Sequence, residues 1–268
     1  IIIDNGNDHT GRYISKISKD SPFPIIYRKQ KSKGLHLAYN EAAEIAKGFF
    51  YLPLHSDDLL LKNSFAAIEQ AWSNIPTNNQ RNYCGVTGVC LDENGKRFAP
   101  KLPQTKFDKR LDEFRYRDKY FWQLAGCYRT EIIKAHPFPD IGEGVRYIPE
   151  SLIWNRISKS YITRFIDIPI KIYTLPGDRK DSLSNNRNFH SIALQHAFYF
   201  KECLNNDIEW LFYNIIVFYK IASNYLYFSR LQSISLIRSI RKLENNKAKI
   251  LCLCAIPGAY FLSLKRMK

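Results

Sequence analysis

The sequence is short of acidic residues, has no clean membrane-spanning run and lacks any paired-cysteine motif. It carries 25 Asp and Glu against 40 Lys and Arg, a formal net charge of +15 over 268 residues. So basic a chain is drawn to polyanions: nucleic acid, an anionic membrane surface or phosphorylated substrates. The excess is uneven, since from Arg187 onward twelve Lys and Arg face four Asp and Glu. The cysteines (Cys84, Cys90, Cys127, Cys203, Cys252, Cys254) show no C-x-x-C spacing and the histidines are scattered. That pattern excludes a zinc-finger type of site and leaves reduced core thiols, as in a cytosolic protein. The best candidate span, Trp210–Phe228, is interrupted by Lys220, Asn214 and Asn224, where about 20 mostly apolar residues are needed. Repeats, low-complexity tracts and a signal peptide are not visible. The opening Ile1-Ile2-Ile3-Asp4 reads as a start inside a domain.

What is present is the makings of one large core: 45% hydrophobic and 14% aromatic residues. Up to about residue 75 short apolar strands alternate with helical patterns, which predicts an α/β sheet. Strands are expected at Ile1–Ile3, Pro24–Arg28 and Phe49–Leu54, and helices at Thr10–Ser18, Leu35–Ala46 (closed by Gly48) and Asn63–Trp72. Two acidic loops, Asp4-Asn5-Gly6-Asn7-Asp8 and His55-Ser56-Asp57-Asp58, then fall at carboxyl ends of strands, where open α/β sheets gather ligands. Further on, a strand is expected at Tyr83–Leu91 with a turn at Asp92–Gly95, and a loop-rich charged excursion over 100–120. Pro149-Glu150 opens a helix over Ser151–Ser160, followed by a strand at Thr163–Tyr173 and a polar loop over Pro176–Ser182. From Ser191 the pattern is helical, with aromatic residues beside Lys and Arg. It fits helices lying on an anionic leaflet, and equally a helical subdomain packed on the core with a solvated basic face.

Asp57-Asp58 interrupts an apolar run. Adjacent carboxylates leaving a strand point to different sides, and hard oxygen ligands suit Mg²⁺ or Mn²⁺. Such pairs also simply end strands. The order of the surrounding motifs is more specific: an apolar strand ending in Asp4-Asn5-Gly6, then Gly34-x-x-x-Ala38-x-Asn40, Ala46-x-Gly48, an apolar strand and Asp57-Asp58, and later Pro149-Glu150-Ser151. Over roughly residues 1–190 this resembles the inverting family-two glycosyltransferases of the GT-A fold, apparently without their first strand and helix.

The resemblance implies a mixed α/β sheet flanked by helices, with a C-terminal helical extension. It implies a catalytic domain over 1–190; the basic, aromatic-rich helical region over 191–268 follows it, read from its composition as membrane-associating or packed on the core. Asp4 and Asn5 would meet the base of a nucleoside-diphosphate sugar, UDP foremost, and Asp57 its ribose and sugar. Asp58 would bind a divalent metal, Mn²⁺ or Mg²⁺, and Glu150 would be the general base toward the acceptor hydroxyl. Lys33 is within reach of a diphosphate, or a solvated lysine; Asn40 is a ligand contact, or structural support. Asp4 has the alternative of capping its turn, and Glu150 that of capping its helix. Glu143 is a fallback base, His55 a strand-end histidine, His190 a surface residue, and Trp122 and Trp154 core residues. The expected partners are the sugar donor and a glycan or lipid-linked acceptor of capsule or lipopolysaccharide type, at the cytoplasmic face of the plasma membrane and without nucleic acid. A sugar nucleotidyltransferase, a basic nucleic-acid-binding protein and an inactive fragment are the rivals. The Pro149-Glu150 helix speaks against the first, and acidic loops that repel phosphate against the second.

Overall fold

The computed structural model describes residues 1–30, 34–175 and 188–266. Lys33 and the polar loop Pro176–Ser182, with Ser182-Leu183-Ser184, lie outside the described residues. The chain opens with strand β1 (Ile2–Asp4), helix α1 (Thr10–Ile17) and strand β2 (Tyr27–Lys29), so a strand and helix do stand at its start, against the expectation that the first pair is missing. β1 and β2 pair in parallel as a separate two-stranded sheet.

The main sheet is built on β5 (Tyr83–Leu91) and β8 (Ile162–Ile172), which run parallel. β7 (Leu124–Arg129) pairs antiparallel with β5, and the short β3 (Phe50–Tyr51) with β7. On the other side, β4 (Leu59–Leu60) and β6 (Lys106–Lys109) both pair antiparallel with β8. β5 reads as a continuous run of small and apolar residues because both its faces are covered. Gly85 is required there: a Cβ would lie 1.9 Å from the Cys127 carbonyl oxygen of β7.

Helix α2 (Leu35–Ile45) starts at Gly34, whose φ of +144° is open only to glycine. It buries His36, Tyr39 and Ala43. The small residues Ala38, Ala42 and Ala46, read from the sequence as an apolar helical stripe, line a cleft instead. The helix ends at Ile45 with Ala46 already extended, so Gly48 does not serve as its cap. Helices α3 (Ser64–Ser73), α4 (Leu111–Tyr116), α5 (Thr130–Ala135) and α6 (Ser151–Ser158) complete the layers around the sheet. The segment 100–120 is therefore not loop-rich: it supplies β6 and α4. The sequence hid α4 because its buried charge is neutralised in part by the distant Lys159. Asp112, fully buried, is held by Arg110 (2.5 Å) and by Lys159 (3.2 Å).

The C-terminal helices α7 (Ala193–Asn206), α8 (Ile215–Leu231), α9 (Leu236–Arg241), α10 (Asn246–Cys254) and α11 (Ile256–Arg266) enclose their own core around Phe218, Ala222 and Leu226, joined by Tyr116 of α4. A buried polar seam ties them to the sheet region. Asp207 accepts from Asn155 Nδ2 (2.8 Å) and the Tyr116 hydroxyl (3.1 Å) and pairs with Lys159 (3.0 Å). The six cysteines are free thiols, five of them buried and Cys254 exposed. Among the described residues no single helix is long and apolar enough to cross a membrane; α10 and α11 together reach that length and composition, but meet at a 54° bend.

Candidate active site

A cleft of about 1050 Å³ opens where α2, the β3–β4 turn, the start of α6 and the end of β8 converge. Pro53 follows the two-residue strand β3, and the chain then turns through Ser56 and Asp57, with the Asp58 N–H donating to the His55 carbonyl (3.1 Å). That turn sends the neighbouring carboxylates apart. Asp57 is exposed on the cleft wall, whereas Asp58 is buried at 4% exposure.

Asp58 is held from β8. Its Oδ2 lies 2.7 Å from the Lys171 ammonium, and its Oδ1 accepts the Thr174 N–H at 3.2 Å. Lys171 is itself 93% buried, opposite Leu60 of β4 and Cys90 of β5 in the sheet.

Glu150 stands at the first turn of α6 but makes no side-chain capping bond. Its carboxylate instead lies 2.9 Å from His55 Nε2, and the Tyr39 hydroxyl is 3.0 Å from the same nitrogen. Burial pushes the Glu150 carboxyl up, but the hydrogen bond and charge of His55, helped by Tyr39 and Lys171, hold it below the usual glutamate range. The same hydrogen bond raises His55 against the opposing effect of its burial. The other ring nitrogen, Nδ1, faces Asp58 Oδ2 at 3.9 Å. A line of groups thus runs from Glu150 through His55 to Asp58 and Lys171, assembled from positions 150, 55, 58 and 171.

Ligand atoms of His55, Asp57 and Asp58 all lie within 4.8 Å of one another. Two carboxylates and an imidazole suit a small divalent ion, so the residues present fit such a group.

The other predicted positions separate. Asp4 accepts from the Tyr27 hydroxyl (2.6 Å), the Gly6 N–H (2.7 Å) and Lys29 (3.2 Å), and the Tyr27 bond above all holds its carboxyl below the ordinary range. Asn5 donates to Gln30 (2.9 Å). Ile1 and Ile3 of this strand line the cleft, but Asp4 and Asn5 do not. Asn40 exchanges two 2.8 Å bonds with the Phe138 backbone, tying α2 to the loop after α5. Glu143 and His190 are exposed on loops away from the cleft lining. Trp154 stacks on Tyr128 (centroids 4.2 Å apart, planes at 9°), which commits one face of its ring to the protein, and it too is among the residues lining the cleft. Trp122 differs from expectation: it is 52% exposed and lines the cleft.

Sequence reading passed over Lys171 altogether and set His55 aside. The available signals were a lysine inside an apolar strand, Ile168-Pro169-Ile170-Lys171-Ile172, and a histidine three residues before the second aspartate.

A mixed sheet carrying carboxylates at strand ends, beside a cleft large enough for a nucleotide, defines an α/β enzyme site for a charged ligand. The chain belongs to glycosyl transferase family 2, whose sequence signature matches residues 1–135; it is a glycosyltransferase with a GT-A-like fold and a C-terminal helical extension. Among solved structures, residues 1–349 of S. aureus TarS are similar, with a TM-score of 0.50 at 15% identity, covering 94% of this chain and 68% of that one. The complex of the same residues of TarS with UDP-GlcNAc gives 0.49 at 16% identity, covering 95% and 69%. At this identity the first likeness is one of fold. No curated protein matches the sequence.

Proposed function

We propose that the chain transfers a sugar, with inversion, from a nucleoside-diphosphate sugar (UDP foremost) to a hydroxyl of a glycan or lipid-linked acceptor in cell-surface polysaccharide assembly. The observation that carries this reading is the meeting of Glu150 with His55, which stands in the same turn as Asp57 and Asp58 on the wall of one cleft. His55 keeps Glu150 ionised, the form in which a carboxylate can receive the acceptor's proton. His55 fixes that carboxylate and Tyr39 holds the histidine. Asp57, with His55 and Asp58, would hold Mn²⁺ or Mg²⁺. When bound, such an ion neutralises charge growing on the departing diphosphate. Trp122 and the small-residue wall of Ala38 and Ala42 leave an open, partly aromatic surface beside Glu150 that suits a sugar ring.

Placement at the inner membrane face belongs to the same reading. Phe212 in the turn before α8 and Ile215, Ile216 and Tyr219 at its start are exposed, as are Ile250 and Leu253 of α10 and Phe261 and Leu264 of α11. Lys247 lies 5.9 Å from the Phe212 ring centroid, and Gly258 abuts the Tyr219 hydroxyl, so these three helices present neighbouring apolar and basic groups. Such a surface suits an anionic leaflet.

The test is a screen of nucleoside-diphosphate sugars with Mn²⁺, following nucleoside-diphosphate release and headed by UDP-GlcNAc. Turnover with at least one donor is expected, with Asp58→Ala losing most of it. Wild-type turnover by both Asp58→Ala and Glu150→Ala with that donor would refute the site.

A further inference from the structure

Asp58 is a candidate metal ligand whose two oxygens are already engaged, one by the Lys171 ammonium at 2.7 Å and the other by the Thr174 N–H at 3.2 Å. A lysine at the centre of a sheet is a costly choice, because an ammonium is buried only against an opposite charge, and an apolar residue would pack there as well or better. Lys171 is not sealed away, however. With Asp57, Thr87, Tyr173 and Thr174 it is one of the residues that line the cleft. Any divalent ion shared by His55, Asp57 and Asp58 would sit within a few ångströms of this ammonium, where like charges repel strongly. An incoming diphosphate changes the balance, since its negative oxygens can neutralise both cations together.

We propose that Lys171 occupies the cation position on Asp58 in the free protein, so that a divalent ion enters together with the nucleoside diphosphate and not before it. On entry the ammonium turns from Asp58 to the diphosphate. The Tyr173 ring, 5.6 Å from Nζ, offers it a π face during the exchange. Lys171 is then a positioning residue for the metal and a direct partner of the leaving group. The inference rests on the reading of the cleft as a nucleotide-sugar site.

The experiment measures Mn²⁺ binding to the full chain by calorimetry, with and without UDP and with no sugar donor or acceptor present. Wild type is expected to bind Mn²⁺ at least tenfold more weakly without UDP than with it. Lys171→Gln, shown to be folded by circular dichroism, is expected to bind Mn²⁺ alone at least tenfold more tightly than wild type does. Lys171→Arg keeps the charge and is expected to behave as wild type. A purely structural lysine would lower the melting temperature of Lys171→Gln and leave Mn²⁺ affinity within twofold, which overturns the proposal. Should Lys171→Gln fail to fold, Lys171→Met takes its place with the same expected tenfold gain in affinity for Mn²⁺ alone; equal wild-type affinity with and without UDP, or a Lys171→Met affinity within twofold of wild type, overturns the proposal. Failure of wild type to bind Mn²⁺ even with UDP would overturn the nucleotide-sugar reading itself. Clear wild-type coupling unaffected by Lys171→Gln would sink this inference alone.

Discussion

Replacing Glu150 by glutamine removes a charge and a proton acceptor while leaving the shape of the side chain intact. The Gln carbonyl oxygen can still accept from His55 Nε2, now 2.9 Å from the carboxylate, so α6 keeps its link to the β3–β4 turn. Only the charge assistance of that bond is lost, about half its strength, or roughly 1 kcal/mol. In a chain of this size that shifts the melting temperature by about 2–4 °C. Chemistry suffers far more. A positioned general base contributes about 10²–10⁴-fold, which at 1.36 kcal/mol per decade is roughly 3–5 kcal/mol of barrier. The expected signature is a kcat lowered by two to four decades with the donor KM unchanged within about threefold, because the proposed role of Glu150 is toward the acceptor and not the diphosphate. Nucleoside-diphosphate release and thermal melting measured on one preparation separate the two effects. A kcat within about threefold of wild type in a protein that melts normally would show that Glu150 is not the base, whatever its neighbours suggest.

Other outcomes follow from the same geometry. Gly85→Ala drives a Cβ into the Cys127 carbonyl at 1.9 Å and within 2.8 Å of the Tyr128 Cα; a loss of at least about 3 kcal/mol in urea unfolding is expected, and an unchanged midpoint would contradict the strand packing. His196, whose ring nitrogen meets the Tyr147 hydroxyl at 2.9 Å, has its pKa lowered to about 4 by burial and by the charge of Arg266. The unfolded chain therefore binds this proton near pH 6.5 and the folded one only near 4, so stability declines as pH falls between those values, by up to about 3 kcal/mol. His196→Phe should flatten that part of the pH–stability curve; an identical slope in the variant rules the histidine out as its source. For the membrane face, the triple substitution Phe212→Ser, Ile216→Ser and Phe261→Ser should abolish flotation with vesicles of phosphatidylcholine and phosphatidylglycerol while nucleotide binding persists. Equal flotation would place the exposed patch outside any membrane contact.

Periodicity carried most of the element boundaries, because helices and strands that bury one face leave that face written in the sequence. Tyr83–Leu91 forms as expected, and the helices after Ser191 are all present. The short strand β3 stops at Tyr51, well before the expected Leu54, because Pro53 cannot continue a ladder and β7 offers only two partners there. Helix α4 was not legible because much of what buries it is distant: Asp112 meets Lys159 and Trp210, Tyr116 meets Asp207 and Phe114 packs on Phe165, all beyond any local window.

The sequence by itself determined the alternation of strands and helices, the two acidic strand-end loops and the acidic residue after Pro149. Those features are local, set by side-chain spacing, turn residues and helix starts, and they were enough to point to a family. What only the tertiary structure decided is the company each carboxylate keeps. Glu150 meets His55 and does not cap its own helix, and Asn40 is spent on the Phe138 backbone. Asp57 and Asp58, adjacent in the chain, part at the turn, one onto the cleft wall and the other beneath it against Lys171. The charge state and availability of a buried carboxylate depend on neighbours within about 4–6 Å, and here those neighbours come from residues 55, 150 and 171, brought together by the β3–β4 turn, the start of α6 and strand β8.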